Sequence, residues 1–400
     1  MKWEYVALGD LYEVHNGLSK GGRFFGDGFP FLSFSTVFNK WFLPQELPDL
    51  VQSTDKEQQS YSIQRGDVFV TRTSETMDEL GMSSVALKDY PHATYNGFTK
   101  RLRPINSERI LPEFIGYYLR TPFFRAGFAA FSTMTTRASL RNEDLLSMKV
   151  PVPDIPTQKR IANILSAYDN LIENDQKQIK LLEEAAQRLY KEWFVDLRFP
   201  GYEDTPIVDG VPEGWTLGEL GDIAIDSGKK EKKEHRGQYQ YYLPIDCLPK
   251  RSLAYTDKND ITLAESSLAA FMPNDILFGA MRPYFHKVVV ARDKGLTRTT
   301  CFVINSKMPA YWAYLLLLLF SKDTVDYATQ ISVGTTMPYV RWKDFIHMPT
   351  LIPPEEKCDA FQAIVLPIIE RISCLAVSSE RLIQARDRLL PKLMSGKIEV

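Results

Sequence analysis

From Ile161 onward, apolar side chains recur at Leu165, Tyr168, Ile172, Ile179, Leu182, Ala186, Leu189 and Trp193, in alternating steps of four and three that only Asp175 breaks. The same stepping returns through Phe361, Val365, Ile368, Ile372, Leu375, Leu382, Leu389 and Leu393, with Ser379 and Arg386 as interruptions. A period of about 3.5 residues held over several heptads keeps one stripe of a helix turned toward a partner along its length. The positions between are polar and charged, as in QKQIKLLEEAAQR and SSERLIQARDR. Two arrangements satisfy these stripes: the helices pair with each other, or each lies on its own globular core. Matching length and register favour pairing, through Ile161, Leu165, Ile172, Ile179, Leu182 and Leu189 on one helix and Phe361, Val365, Ile372, Leu375, Leu382 and Leu389 on the other. Pro367 and Pro391 each remove a backbone donor from the second helix and favour a bend.

The segments leading into the two helices also match. TTRASLRNEDLLSMKVPVPD (135–154) aligns without a gap on TTMPYVRWKDFIHMPTLIPP (335–354), pairing Thr135, Thr136, Arg141, Asp144, Met148 and Pro153 with Thr335, Thr336, Arg341, Asp344, Met348 and Pro353. Average composition predicts about one such identity. Farther upstream, WEYVALGDL and WTLGELGDI share Trp3/Trp215, Leu8/Leu220, Gly9/Gly221 and Asp10/Asp222, and RGDVFV (65–70) resembles PNDILF (273–278), a turn before a short apolar strand. The chain therefore reads as a duplication of class α+β. Its expected parts are a mixed α/β domain at 1–153, a long helix at 154–198, a Pro/Gly-rich linker at 199–214, a second mixed domain at 215–353 and a second long helix at 354–400. Pairing of the helices makes an antiparallel coiled coil with an internal pseudo-two-fold repeat.

At 400 residues, 44% hydrophobic and 24% charged, the chain has room for more than one core. Cys247, Cys301, Cys358 and Cys374 lie far apart and signal neither a zinc site nor a disulfide framework. MKWEYVALGD lacks an apolar signal core, and the longest apolar run, 310–320, is too short to cross a bilayer. A cytoplasmic protein without a membrane partner is expected. The net charge of −2 excludes a generally basic surface but not a local patch, for which KKEKKEHR (229–236) is a candidate beside its reading as a solvated loop.

Motifs for chemistry are missing. The one Pro-Pro, Pro353-Pro354, lacks the Asn/Asp and the aromatic residue that would frame it in an adenine methyltransferase. GLSKGGRFFGDG (17–28) has neither dinucleotide nor P-loop spacing, and the Gly-Lys at 228–229 lacks the upstream glycine. His15, His92, His235, His286 and His347 show no metal-ligand spacing. Asp344, Glu355 and Lys357 are better read as helix-start charge than as a nuclease centre.

The stretch VPVPDIPTQKRIANILSAYDNLIENDQKQIKLLEEAAQRLYKEWFVDLRFPG closely resembles the central region of specificity (S) subunits of type I restriction–modification enzymes, through Pro151, Pro153, Gln158, Ile161, Trp193 and Phe194. The order head, helix, head, helix extends the resemblance over nearly the whole chain. The second connector departs from it, with Cys358 and Phe361 where the first has Gln158 and Ile161. The resemblance implies a non-catalytic subunit whose two target-recognition domains each read one half of a bipartite double-stranded DNA site, while the helix pair sets the unread spacer. It implies two docked modification subunits and, to complete the enzyme, restriction subunits. No cofactor is expected on this chain; S-adenosylmethionine, ATP and magnesium belong to those partners. The striped stretch of some 33 residues from Ile161 to Trp193, about 50 Å at 1.5 Å per residue, compares with about one and a half turns of B-DNA.

Base edges are read by polar side chains in loops, and arginine suits guanine. Arg72, Thr73 and Ser74 leave the DVFV strand; Arg282, Tyr284 and His286 follow DILF. Lys20, Arg23, Asn96, Lys100 and Arg101 are further candidates in the first head, and Lys229, Lys230, Lys232, Lys233, Arg236 and Arg298 in the second. The competing reading is a scaffold whose heads bind proteins.

Overall fold

The computed structural model describes residues 3–74, 79–131 and 138–400. Thr135 and Thr136 of the first connector, Glu75 and Thr76, and the side chain of Ser74 lie outside the described residues. The chain forms two compact units, Met1–Asn170 with Ile383–Val400, and Leu171–Leu382.

In the first unit an antiparallel sheet runs in the order Tyr12–Asn16, Thr99–Pro104, Val68–Thr71, Ser83–Val85. Val68–Thr71 is buried along its whole length, which suits its run of β-branched and aromatic residues. Buried Asp67 opens this strand and accepts two hydrogen bonds from Arg103, at 2.8 and 2.6 Å. A smaller sheet joins Asp49–Val51, Phe25–Leu32 and Thr94–Tyr95. The second unit has a four-stranded sheet ordered Ala224–Asp226, Cys301–Ser306, Ile276–Gly279, Val288–Val290, beside a three-stranded one. The apolar run around 310–320 is a core helix, Trp312–Leu319, buried from Ala313 onward.

The repeated connector closes both units in the same register. Glu4–Ala7 pairs with Lys149–Val152, and Thr216–Glu219 with Pro349–Ile352. The Leu8 amide donates to Met148 O at 2.8 Å, and the Leu220 amide to Met348 O at 2.9 Å. The repeated glycines have a steric cause: a Cβ on Gly9 would stand 3.3 Å from Leu146 Cβ, and one on Gly221 3.1 Å from Ile346 Cβ. The segment 199–214 is more ordered than a linker: Phe199 is buried 4.8 Å from Trp215, and Ile207–Val208 pairs with Val211–Pro212.

The central helix spans Ile155–Tyr190 and ends in a π-helical turn, Lys191–Val195. The C-terminal helix, Glu355–Met394, is unbroken at Pro367, which is exposed, and at Pro391. Its most apolar 18-residue window has a mean hydropathy of 1.7, and a third of that window is buried.

Each unit takes in a share of both helices. In the first, Ile161 and Leu165 share a core with Leu390, Leu393, Met394 and head residues such as Phe114 and Tyr117. In the second, Ile179, Ala186, Tyr190, Trp193 and Phe194 share one with Phe361, Val365, Ile369, Ile372 and Leu375. Ile172 is buried, Leu182, Leu189 and Leu389 are partly buried against these cores, and Leu382 is half-buried. Within each unit, residues of both stripes thus lie on the head core.

The breaks in the stripes are polar contacts or buried polar atoms. Arg386 lies 2.7 Å from Asp169 and 4.5 Å over the Trp41 ring, while Tyr117 Oη donates to Asp169 at 2.6 Å. Asp175 Oδ2 and Ser379 Oγ are buried with no hydrogen-bond partner among the described residues.

Candidate nucleic-acid interface

In both units the central strand of the larger sheet runs out beside the repeated connector. The Arg72 amide donates to Phe98 O at 3.0 Å, and Arg72 O accepts from the Leu140 amide at 2.9 Å. Beyond it, Thr73 pairs with Ser139 and Ser74 with Ala138. In the second unit the Ala280 amide donates to Thr300 O at 2.9 Å and Ala280 O accepts from the Val340 amide at 2.9 Å. Met281 then bridges Tyr339. Ala280 therefore holds the place of Arg72, and Arg282 that of Ser74. The offset between RGDVFV and PNDILF, carried two residues on, gives the same correspondence, so Arg72 and Arg282 occupy different places in the two frames.

Several first-head candidates lie inward or are already engaged. Arg101 is 3% exposed, donates to Ser62 O at 2.6 Å and stacks over Tyr95. Lys100 is buried against the Asn142 side chain, and burial together with neighbouring Arg72 holds its pKa below the usual lysine range. Lys20 is paired with Glu57 at 2.7 Å. Asn96 acts locally: its side chain accepts from the Phe98 amide at 2.7 Å and shapes the turn that leaves Phe98 55% exposed beside Arg72. Arg23 is exposed, lying 4.8 Å over the Phe24 ring. Arg72 and Thr73 are half-buried.

In the second head, Arg282 and His286 bracket one helical turn, Pro283–Phe285, and both have left-handed backbones, with φ of 50° and 53°. Such conformations in non-glycine residues are strained and persist only where the surroundings hold them. Here the Arg282 amide donates to Pro338 O at 2.7 Å and the Arg251 amide to His286 O at 2.7 Å. His286 Nε2 lies 3.0 Å from Phe320 O, and burial lowers its pKa, which favours a neutral structural imidazole over a phosphate-binding cation. Tyr284 is exposed, as are Met337 and Tyr339 on the opposing connector strand.

The basic run is partly neutralised. Lys233 and Arg236 share Glu265, and His235 lies 3.0 Å from Glu231. Lys229, Lys230, Lys232 and Arg298 are exposed. Phe98, Met337 and Tyr339 escaped the sequence reading; the Asn-Gly turn before Phe98 is the one local signal among them. Among the described residues no group of three or more His, Cys, Asp or Glu side chains is placed to hold a metal ion.

Residues 1–184 match the family described as "Type I restriction modification DNA specificity domain". The whole chain aligns with the type I restriction enzyme MjaIX specificity subunit of Methanocaldococcus jannaschii at 24% identity over 424 residues, covering 100% of this chain and 94% of that protein. Over its whole length the chain is thus similar to type I specificity subunits. The HindI specificity subunit of Haemophilus influenzae is 22% identical over 472 residues, covering 99% of each chain. The crystal structure of an S subunit from M. genitalium has the same fold, with a TM-score of 0.58 at 14% identity over 98% of this chain and 96% of that one. A specificity subunit supplies DNA sequence specificity and is not the catalytic part of its enzyme.

Proposed function

We propose that each head of this chain reads one half of a bipartite DNA target through its strand exit. The two long helices pair antiparallel as the ruler for the unread spacer and dock two modification subunits, and restriction subunits complete the enzyme in the cytoplasm. S-adenosylmethionine, ATP and magnesium act on those partners.

The observation that carries this reading is one backbone frame presenting different side chains. The same three-stranded ladder carries Arg72 and Phe98 in the first head, and Ala280 and Thr300 followed by Met281 and Arg282 in the second. Equal frames with unequal tips suit two half-sites of different sequence. Antiparallel pairing is supported within each unit separately: Trp193 meets Phe361 at 5.5 Å in one, and Asp169 meets Arg386 at 2.7 Å in the other. One antiparallel register satisfies both pairs. Exposed apolar side chains on the helices, among them Leu171, Leu181, Ile364 and Leu366, suit covering by protein partners.

The test is to map methylated adenines in DNA from cells carrying the intact system, with wild-type protein and with Arg72→Ala. The variant is expected to relax one half-site only, at about 1–3 kcal/mol per lost base contact. A change in both half-sites, or in neither, refutes the assignment of Arg72. The scaffold alternative predicts duplex affinity with little salt dependence, whereas phosphate contacts weaken steeply as salt rises.

A further inference from the structure

Within the unit Leu171–Leu382, the second head shares an apolar core with the helices, Leu253 beside Ile369, Ile372 and Ala376, and meets them in two further contacts toward the ends of that core. The first is aromatic: Phe194 lies 4.6 Å from Tyr314 and 4.7 Å from Phe361. The second is polar. Glu183 on the central helix is 5% exposed and accepts from Ser252 Oγ and from the Leu253 amide, both at 2.7 Å and both on Oε1. Glu380 on the C-terminal helix meets Lys258 at 2.7 Å and Arg292 at 3.3 Å, and Arg292 in turn lies 4.4 Å over Tyr255.

Phe361 and Glu380 are separated by about 28 Å of helix at 1.5 Å per residue. A head held at the aromatic contact and the adjoining apolar core can still tilt about them; polar ties at that distance resist the tilt. Leu253 packs inward at this point. On the outer side a cleft of about 310 Å³ opens, lined by Lys180, Glu183, Arg251, Ser252, Thr256 and Ser379 among others. Hydrogen bonds and ion pairs, not packing, therefore resist motion on that side.

We propose that Glu183 and Glu380 are positioning residues that fix the tilt of the second head on the helices, and through it the spacer length the protein accepts. This rests on the proposed reading of the helices as the spacer ruler. A spacer longer by one base pair moves the second half-site about 3.4 Å along the duplex and turns it about 35° around it. A head fastened at two points cannot follow that displacement, whereas a head fastened at one can.

The experiment uses the complete complex with its modification subunits. Methylation rates are measured on duplexes with the mapped spacer, with spacers one base pair longer or shorter, and with single substitutions in either half-site. For Glu183→Ala combined with Glu380→Ala, preference for the mapped spacer is expected to fall about tenfold, equivalent to about 1.4 kcal/mol, while half-site discrimination is kept. Glu183→Gln retains the Oε1 acceptor for both hydrogen bonds and is expected to keep wild-type spacer preference. Glu380→Gln, which keeps the shape and loses the charge, serves if the double variant fails to fold, and an intermediate loss is expected. Unchanged spacer preference in a cooperatively folding double variant, or in Glu380→Gln if that variant is used, overturns the proposal. So does an equal loss in Glu183→Gln and Glu183→Ala. Failure of the ruler reading is separate: there the wild-type complex itself shows no spacer preference.

Discussion

Gln158 and Cys358 hold the same place in the two connectors, and the two units make the same tie with different side chains. In the first unit Gln158 is fully buried, accepts from the Leu111 amide at 2.8 Å and donates to Arg109 O at 3.2 Å and Pro153 O at 2.8 Å. One amide thereby joins the start of the helix Pro112–Tyr118 to the connector. In the second unit the buried Cys358 cannot reproduce this. Pro353 O instead accepts from Tyr311 Oη at 2.6 Å, and the Ala313 amide donates to Gln362, one turn farther along, at 3.2 Å. The need to satisfy buried backbone groups persists while the residues that meet it change.

The comparison is sharpest at Gln158→Ala, which removes three hydrogen bonds and strands their backbone partners; a loss of about 3 kcal/mol or more is expected in urea unfolding. Tyr311→Phe and Gln362→Ala each divide that burden and are expected to cost about 1–2 kcal/mol. Cys358→Ala, which breaks none of these bonds, is expected to cost about 1 kcal/mol or less. If Gln158→Ala costs no more than Cys358→Ala, the two connectors are not equivalent ties and the comparison fails.

A smaller effect concerns Glu183, whose pKa burial raises above its ordinary 4.5. The stability a raised carboxyl contributes is full below the ordinary value and is lost as pH rises through the raised one. Glu183→Gln is therefore expected to flatten the decline as pH rises from the ordinary value through the raised one, which thermal melts across pH would show. Least disturbing is thiol labelling at pH 8. Cys301 and Cys358, both buried with thiols pushed up to about 12, are expected to stay unmodified in the folded protein while exposed Cys374 reacts. Fast labelling of Cys358 would show that the second tie opens.

The long helices were legible because a 3.5-residue stripe is a local property, and the position of Phe361 in it needs no knowledge of Trp193. The glycine at Gly9 and Gly221 was visible as a repeat, but its cause, the side chain of residue 146 or 346, lies far off in sequence. Arg101 and Lys100 read as surface cations because nothing local reveals that their strand is covered on both faces. Lys233 and Arg236 read as free because Glu265, which neutralises them, is some thirty residues away. The correspondence of Arg72 with Ala280 was legible from the offset between RGDVFV and PNDILF, whereas the exposure of Phe98, Met337 and Tyr339 beside these positions depends on cross-strand neighbours that spacing does not reveal.

The first compact unit is completed by Ile383–Val400, whose Leu390, Leu393 and Met394 fill its core. A ribosome making this protein releases head one long before those side chains exist. At about 5–20 residues per second, Ile161 and Leu165 wait roughly 11–47 s for their partners, while Leu171–Leu382 has every residue it needs first. The domain begun earliest is finished last, and a chain stopped at Leu382 leaves it with an open apolar flank for a chaperone or a protease to find.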